Sequence, residues 1–169
     1  MKIEEEIKQK RFTSVHQVAH LNTMFTANWL VSLAKVALKP FGVTHQQYNV
    51  LRILQGKKQF PCSADSIKEV MIDKSPDLTR LLDRLIDKGY VSRSVCEANR
   101  RKLDIVITER GMALLKRIKP KIAAYFRQAK KITDQEAIEL SRILDKMRGS
   151  LEETSQEEVC DEQFAMSTV

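Results

Sequence analysis

Residues 75–111 read SPDLTRLLDRLIDKGYVSRSVCEANRRKLDIVITERG. Ser75 and Pro76 have the chemistry of a helix start, since a serine oxygen accepts from an orphan amide and a proline at the next position supplies a helical φ and needs no donor. From there Leu78, Leu81, Leu82, Leu85 and Ile86 recur at three- and four-residue steps, while Asp77, Arg80, Asp83, Arg84, Asp87 and Lys88 fall on the other side. One face is core and the other is charged. Gly89 ends the helix, and Tyr90, Val91 and Val95, then Leu103, Ile105 and Ile107, supply the apolar alternation of two short strands. Between the strands lies a charged turn, Cys96 to Lys102, with Arg100, Arg101 and Lys102 in a row. Such a tip suits insertion beside phosphates or into the negative potential of a minor groove; a solvated hairpin end is the plainer reading.

Upstream, THQQYNVLRILQ at 44–55 opens with a good cap at Thr44 and sends Tyr48, Leu51, Ile53 and Leu54 toward a core. The loop GKKQFPCS leads through Phe60 and Cys62, a candidate edge strand, to a second helix from Ala64 to Met71 capped by Ser63. Asp73 to Ser75 turn the chain. Residues 44–107 therefore have the order helix, helix, recognition helix, strand, wing, strand, which is the outline of a winged helix-turn-helix.

The ordered combination resembles the MarR family of bacterial transcription regulators. DLTRLLDRLIDKGYVSR is similar to that family's recognition helix and its exit, and NRRKLDIVITERG to its wing and second strand. The family's usual motif has an aspartate two residues before a wing arginine. Here Asn99 or Glu97 stands near that place, depending on how the wing is aligned, and the departure bears on the wing salt bridge rather than on the wing.

A chain of 169 residues with 43% hydrophobic composition is enough for one domain with a real core. Five glycines and four prolines leave helix to dominate. No window reaches the apolar length of a membrane span, and MKIEEEIKQKR lacks the apolar stretch of a signal peptide, so a cytoplasmic protein without membrane association is expected. The net charge of +7 is uneven: Glu152, Glu153, Glu157, Glu158, Asp161 and Glu162 lie in a tail with no lysine or arginine, which leaves +13 on residues 1–150. A folded part that basic attracts polyanions, and the helix and wing point to DNA among them. The tail, 151–169, has few large apolar residues and reads as acidic and disordered.

Two long helical stretches flank the winged unit. Residues from about Glu4 to Lys39 carry Phe12, Val15, Ala19, Met24, Trp29, Leu30, Leu33, Ala34 and Ala37, and Pro40 and Gly42 close that stretch. At the other end Glu109 to about Lys131 carries Leu114, Leu115, Ile118, Ile122, Tyr125 and Phe126, with Pro120 expected to kink it or shift its path. Asp134 to Met147 carries Ile138, Ile143 and Leu144. The expected organisation is mainly α. It comprises an N-terminal dimerisation helix and connection (1–43), the winged helix-turn-helix (44–107), C-terminal dimerisation helices (108–150) and the tail. The resemblance implies a two-fold homodimer built from both ends of the chain; packing within one monomer is the alternative use of those apolar faces.

Cys62, Cys96 and Cys160 are scattered without metal-ligand spacing, so free thiols are expected rather than a disulfide scaffold or zinc ribbon. Cys96, with Arg93, Arg100 and Arg101 close in sequence, is a better candidate than Cys62 for oxidant sensing. His16 and His20 are one helical turn apart in HQVAH, but Gln17 replaces the glutamate a zinc protease helix needs and no third ligand is evident, so no metal or cofactor is expected. There is no phosphate-cradling glycine loop and no nucleophile elbow. An enzyme is the least supported class.

The functional expectation is a transcription regulator binding double-stranded DNA at a pseudo-palindromic operator, a repressor relieved by a small-molecule effector. Ser75, Pro76, Asp77, Thr79, Arg80 and Arg84 are expected at the major groove, with Arg80 and Arg84 the best guanine or phosphate contacts. Arg100, Arg101 and Lys102 belong to the wing. The resemblance implies an effector cleft where the first long helix, the winged unit and the fifth family helix meet, with Met24, Trp29, His45 and Tyr48 as lining; each could equally be core or dimer interface. The alternative function is a winged-helix protein-interaction module or antirepressor without specific DNA binding, which the negative Asp77, Asp83 and Asp87 keep open.

Overall fold

The computed structural model describes residues 2–57, 60–74, 77–95, 103–129 and 131–165, with side chains described through Arg127 and from Lys131 to Gly149. Expectations placed on Ser75, Pro76, Cys96, Glu97, Asn99, Arg100, Arg101, Lys102 and the side chain of Cys160 fall outside these residues. The chain forms two compact units, residues 1–127 and 128–169.

The centre of the first unit is a helical triad closed by a hairpin. Helix α3 (His45–Gly56) begins in a reciprocal cap: Thr44 Oγ1 accepts from Gln47 N at 3.1 Å and Gln47 Oε1 accepts from Thr44 N at 3.1 Å. Helix α4 (Ala64–Val70) is capped by Ser63, and α5 (Leu78–Asp87) follows after a turn that Asn49 of α3 braces by accepting from Ile72 N at 3.2 Å. Strands β1 (Val91–Val95) and β2 (Leu103–Ile107) pair antiparallel, Val91 opposite Ile107 and Val95 opposite Leu103. The expected edge strand at Phe60 and Cys62 is a single bridge, Cys62 exchanging both backbone bonds with Ile105 at 3.0 and 2.9 Å.

Val50, Leu51 and Leu54 of α3, Ile67 of α4, Leu82 and Leu85 of α5, and Ile105 and Ile107 of β2 make one buried cluster. Leu114, Leu115, Ile118 and Ile122 of α6 (Glu109–Ala129) join it, as do Ala37 and Leu38 from α2 (Val15–Leu38). Each such side chain contributes about 1.5–3 kcal/mol by burial, so these contacts fix the orientation of α5. Tyr48 and Ile53 pack against the cluster while half-buried.

Three expectations about helix limits are corrected. The stretch from Glu4 to Lys39 is two helices, α1 (Ile3–Glu6) and α2, parted at residues 7–14 with Lys8 at φ 54. The break is chemically written: Ser14 caps α2 by accepting from Gln17 N, and Gln17 Oε1 accepts from both Thr13 N and Thr13 Oγ1. Second, α5 starts two residues later than Ser75 and Pro76 suggest. Asp77 is the cap, its Oδ1 accepting from Arg80 N at 3.3 Å, and a carboxylate there has the added attraction of the positive helix end. Third, in the second unit α7 spans Asp134–Ala165, longer than the expected stretch from Asp134 to Met147. Thr133 and Glu136 cap its start reciprocally, and between Ser150 and Ala165 no proline or glycine interrupts a run rich in glutamate and glutamine. Helix α6 contains Pro120, where a kink or a shift of path was expected, and lacks the bond that residue would have donated.

Candidate nucleic-acid interface

Helix α5 buries Leu78, Leu81, Leu82 and Leu85, which leaves Thr79, Arg80, Arg84 and Asp87 exposed on the opposite side and Asp83 and Ile86 at the margins. Its three acidic residues are not equivalent. Asp77 is held by its capping role and by Arg80, Nε to Oδ2 3.3 Å. Asp83 is held by Arg93 of β1, Nη1 to Oδ1 3.2 Å. The expected groove-facing Asp77 is thus first a capping residue, and the guanidinium of Arg80 is aligned along the helix by it.

The end of α5 is as closely determined as its start. Gly89 takes φ 69, its N–H donates to Ile86 O at 2.7 Å and Tyr90 N donates to Leu85 O at 2.9 Å, the paired bonds of a Schellman stop. Thr108 then ties the hairpin back: its hydroxyl donates to Gly89 O at 2.7 Å and accepts from Gly111 N at 3.1 Å. Arg110 lies over the Tyr90 ring, 5.4 Å from its centroid. Helix α5, the hairpin strands and the first turn of α6 therefore form one braced corner. Arg100, Arg101 and Lys102 themselves lie outside the described residues.

A groove of about 250 Å³ runs beside Asp77, Arg80 and Arg84 against Thr44, Gln46 and Gln47 of α3. It meets a cleft of about 650 Å³ that Arg84 and Gln47 also border. Neither Lys35, Lys39 nor Gln47, which line this larger cleft, stood out in the sequence. Lysines on an exposed helix face are ordinary, and the only signal for Gln47 was the Thr44-x-x-Gln47 spacing of a capping box.

The four residues proposed for an effector pocket separate. His45 borders the larger cleft and also a second one, of about 520 Å³ between α3 and α6, which Tyr48, Arg52, Ile122 and Phe126 line as well. Met24 and Trp29 stand exposed on α2 and line none of these clefts. His16 and His20 are exposed on α2, and among the described residues no group of three or more histidine, cysteine, aspartate or glutamate side chains is placed to hold a metal ion. No helix among the described residues is long and apolar enough to cross a membrane.

The model of the MarR family matches residues 43–103, from just before α3 to the first residue of β2. The chain is similar to the MarR transcription factor of Planctomyces limnophilus, 31% identical with a TM-score of 0.62, covering 80% of this chain and 98% of that one. The chain belongs to the MarR family. A mutant MarR from Escherichia coli, solved in complex with operator DNA, is 25% identical with a TM-score of 0.69 over 82% of this chain and 99% of that one. The HTH-type transcriptional regulator PapX of Escherichia coli is 31% identical over 78 residues, 46% of this chain and 48% of PapX, so the chain spans about half the length of that curated relative. The mainly helical winged fold read from residues 44–107 is the fold these MarR-family structures share.

Proposed function

We propose that this MarR-family chain is a transcription regulator that binds double-stranded DNA as a homodimer, through α5 in the major groove and the hairpin tip beside it, and that it has no enzymatic role. The observation that carries the reading is the outward face of α5. Thr79, Arg80 and Arg84 are exposed on a helix whose other face is locked into the core, and the neighbouring carboxylates of Asp77 and Asp83 are already engaged by Arg80 and Arg93. That disposition engages two of the three acids on which the protein-module alternative drew, while Asp87 remains exposed on the same side. Ser75, Pro76 and the wing residues Arg100, Arg101 and Lys102 complete the proposed contact set. The operator-bound relative supports the same use of the fold.

Two such helices reading one duplex need a two-fold arrangement with half-sites about 34 Å apart, hence a pseudo-palindrome. Repression relieved by a small effector is the mode we infer. The cleft between α3 and α6, with His45 and Tyr48, is the effector site in this reading, and Met24 and Trp29 on α2 are not part of its lining. Selection of bound duplexes from a random pool, followed by gel shifts, tests the proposal. An enriched two-fold motif whose binding is lost in Arg80→Ala/Arg84→Ala supports it, and a pool that shows no enrichment sinks it.

A further inference from the structure

We propose that Lys88 is a positioning residue for DNA recognition: its ammonium, bonded to the backbone carbonyl of Gly42, fixes the angle at which α2 carries the winged unit and so selects operators by the spacing of their half-sites. The spacing half of this rests on the regulator reading above; the clamp itself does not.

Lys88 is the residue that caps the C-terminal end of α5. Its half-buried side chain reaches across 46 residues of sequence, Nζ donating to Gly42 O at 2.6 Å. A cation is favoured at the negative end of a helix, and a short charge-assisted bond from it is strongly directional. Gly42 is not an arbitrary acceptor. It closes the 3-10 turn Lys39–Phe41 that continues α2, takes φ 64, and stands two residues before Thr44, the cap of α3. The clamped carbonyl therefore belongs to the link between α2 and the winged unit. Phe41, one residue earlier, has Arg117 of α6 over its ring at 5.8 Å from the centroid, so successive residues of the link are held by α6 and by α5.

The clamp matters because α2 is anchored at one end. Of its 24 residues only Ala34, Ala37 and Leu38 are buried in the single chain, all in the last two turns. Two alanines and a leucine give a contact that resists separation more than rotation, since burial has no preferred direction. A hydrogen bond does have one, and Lys88 adds it where the rod meets the winged unit.

The lever is long enough for this to reach DNA. A helix of 24 residues spans about 36 Å, so a change of about 5° at its anchored end moves the other by about 3 Å, close to the 3.4 Å rise of one base pair. When two chains associate through α2, that angle becomes the separation of the two α5 helices, which the half-site spacing must match. The same bond contributes little to folding, because it is open to solvent on one side.

Spin labels on His20→Cys and Thr79→Cys test the clamp without DNA. Both positions are exposed, on α2 and α5. The labelled chain carries Cys62→Ala, Cys96→Ser and Cys160→Ser and is diluted into unlabelled protein so that each pair is measured within one chain. The parent should give one narrow distance distribution, Lys88→Met one at least about twice as wide, and Lys88→Arg, which keeps a donor, a narrow one again. Equal widths for the parent and Lys88→Met overturn the clamp. Anisotropy on half-site pairs set one base pair closer or farther then tests its use. The parent should favour one spacing by at least about tenfold, and Lys88→Met by less than about threefold, with isolated half-site affinity held within about threefold and Lys88→Arg restoring the preference. Uniform loss at every spacing and on the half-site would make Lys88 a phosphate contact and overturn the proposal. A widened distribution with unchanged spacing preference overturns the selection alone. A chain that shows the clamp by its spin labels but binds no DNA upholds the clamp and overturns the regulator reading.

Discussion

Asp83 on α5 and Arg93 on β1, ten residues apart in sequence, are joined across the corner between recognition helix and hairpin at 3.2 Å. Both side chains are about half exposed, so the pair adds at most about 1 kcal/mol to stability. Its larger effect is on charge: it removes one carboxylate from the reading face and occupies one guanidinium. Asp83→Asn should cost little stability, free Arg93 for a phosphate, raise DNA affinity and steepen the salt slope by about one unit. Fluorescence anisotropy at several salt concentrations measures this. Weaker binding by the variant would mean that the pair chiefly orients the hairpin.

Gly89 and Gly111 should respond differently to alanine although both serve the same corner. At Gly89 a Cβ meets nothing closer than the Arg110 side chain at 3.6 Å, and the cost is the left-handed backbone alone, about 1 kcal/mol. At Gly111 a Cβ would lie 2.3 Å from the Tyr90 carbonyl oxygen and 2.7 Å from Ile107 Cγ1, so the first turn of α6 must move away from the hairpin. Overpacking of this kind costs about 1–3 kcal/mol. Urea denaturation should rank Gly111→Ala below Gly89→Ala; the reverse order would show that α6 gives way without strain.

What could be read in advance was whatever depends on neighbours along the chain. The apolar period of Leu78 to Leu85, the stop at Gly89, the capping box at Thr44 and the two strands are local chemistry, and all four are present. The helix start was read at Ser75 and Pro76, and Asp77, read only as a groove-facing residue, proved to be the cap. The break before α2 was hidden because Ser14 and Gln17 look like ordinary helix-surface residues until Gln17 is seen bonded to Thr13. The cleft beside Arg84 was invisible for another reason: Lys35 and Lys39 come from the end of α2 and Arg84 and Lys88 from the end of α5, and only tertiary packing puts the two pairs around one hollow.

Cys62 should be chemically quiet. Its Sγ donates to Phe60 O at 3.6 Å, and burial pushes the thiol above its ordinary 9.0, with Lys57 pulling more weakly the other way. A folded pKa above the unfolded one means that the thiol's contribution to stability is complete below the ordinary thiol range and is lost as pH rises through and beyond it. In a Cys96→Ser/Cys160→Ser background, iodoacetamide at pH 8 should label the native protein far more slowly than the urea-unfolded chain, since the thiolate is the nucleophile. Equal rates would place Cys62 in an open, reactive setting and revive it as an oxidant sensor.

Phe25, Trp29 and Val36 lie four and seven residues apart, on one stripe of α2, and are 40, 44 and 55% exposed in the single chain. A stripe of that kind on an isolated chain marks a surface that association would cover, and in the regulator reading the partner is a second copy. Trp29 is the only tryptophan, so its emission reports the event directly. Dilution through the dimer dissociation range should shift its emission to the red while sedimentation shows the mass halving. Phe25→Asp/Trp29→Asp would place two carboxylates in the covered face, where an unpaired charge is strongly disfavoured, and should yield a folded monomer. Such a monomer would retain α5 and its wing and bind an isolated half-site much as the parent chain does, but lose the gain from binding two half-sites at once, a factor on the order of 10² or more. If the double variant stays dimeric, the interface lies elsewhere on the chain and α2 is not its core. If it becomes monomeric and still binds the full palindrome as tightly as the parent, the two-fold reading of the operator fails.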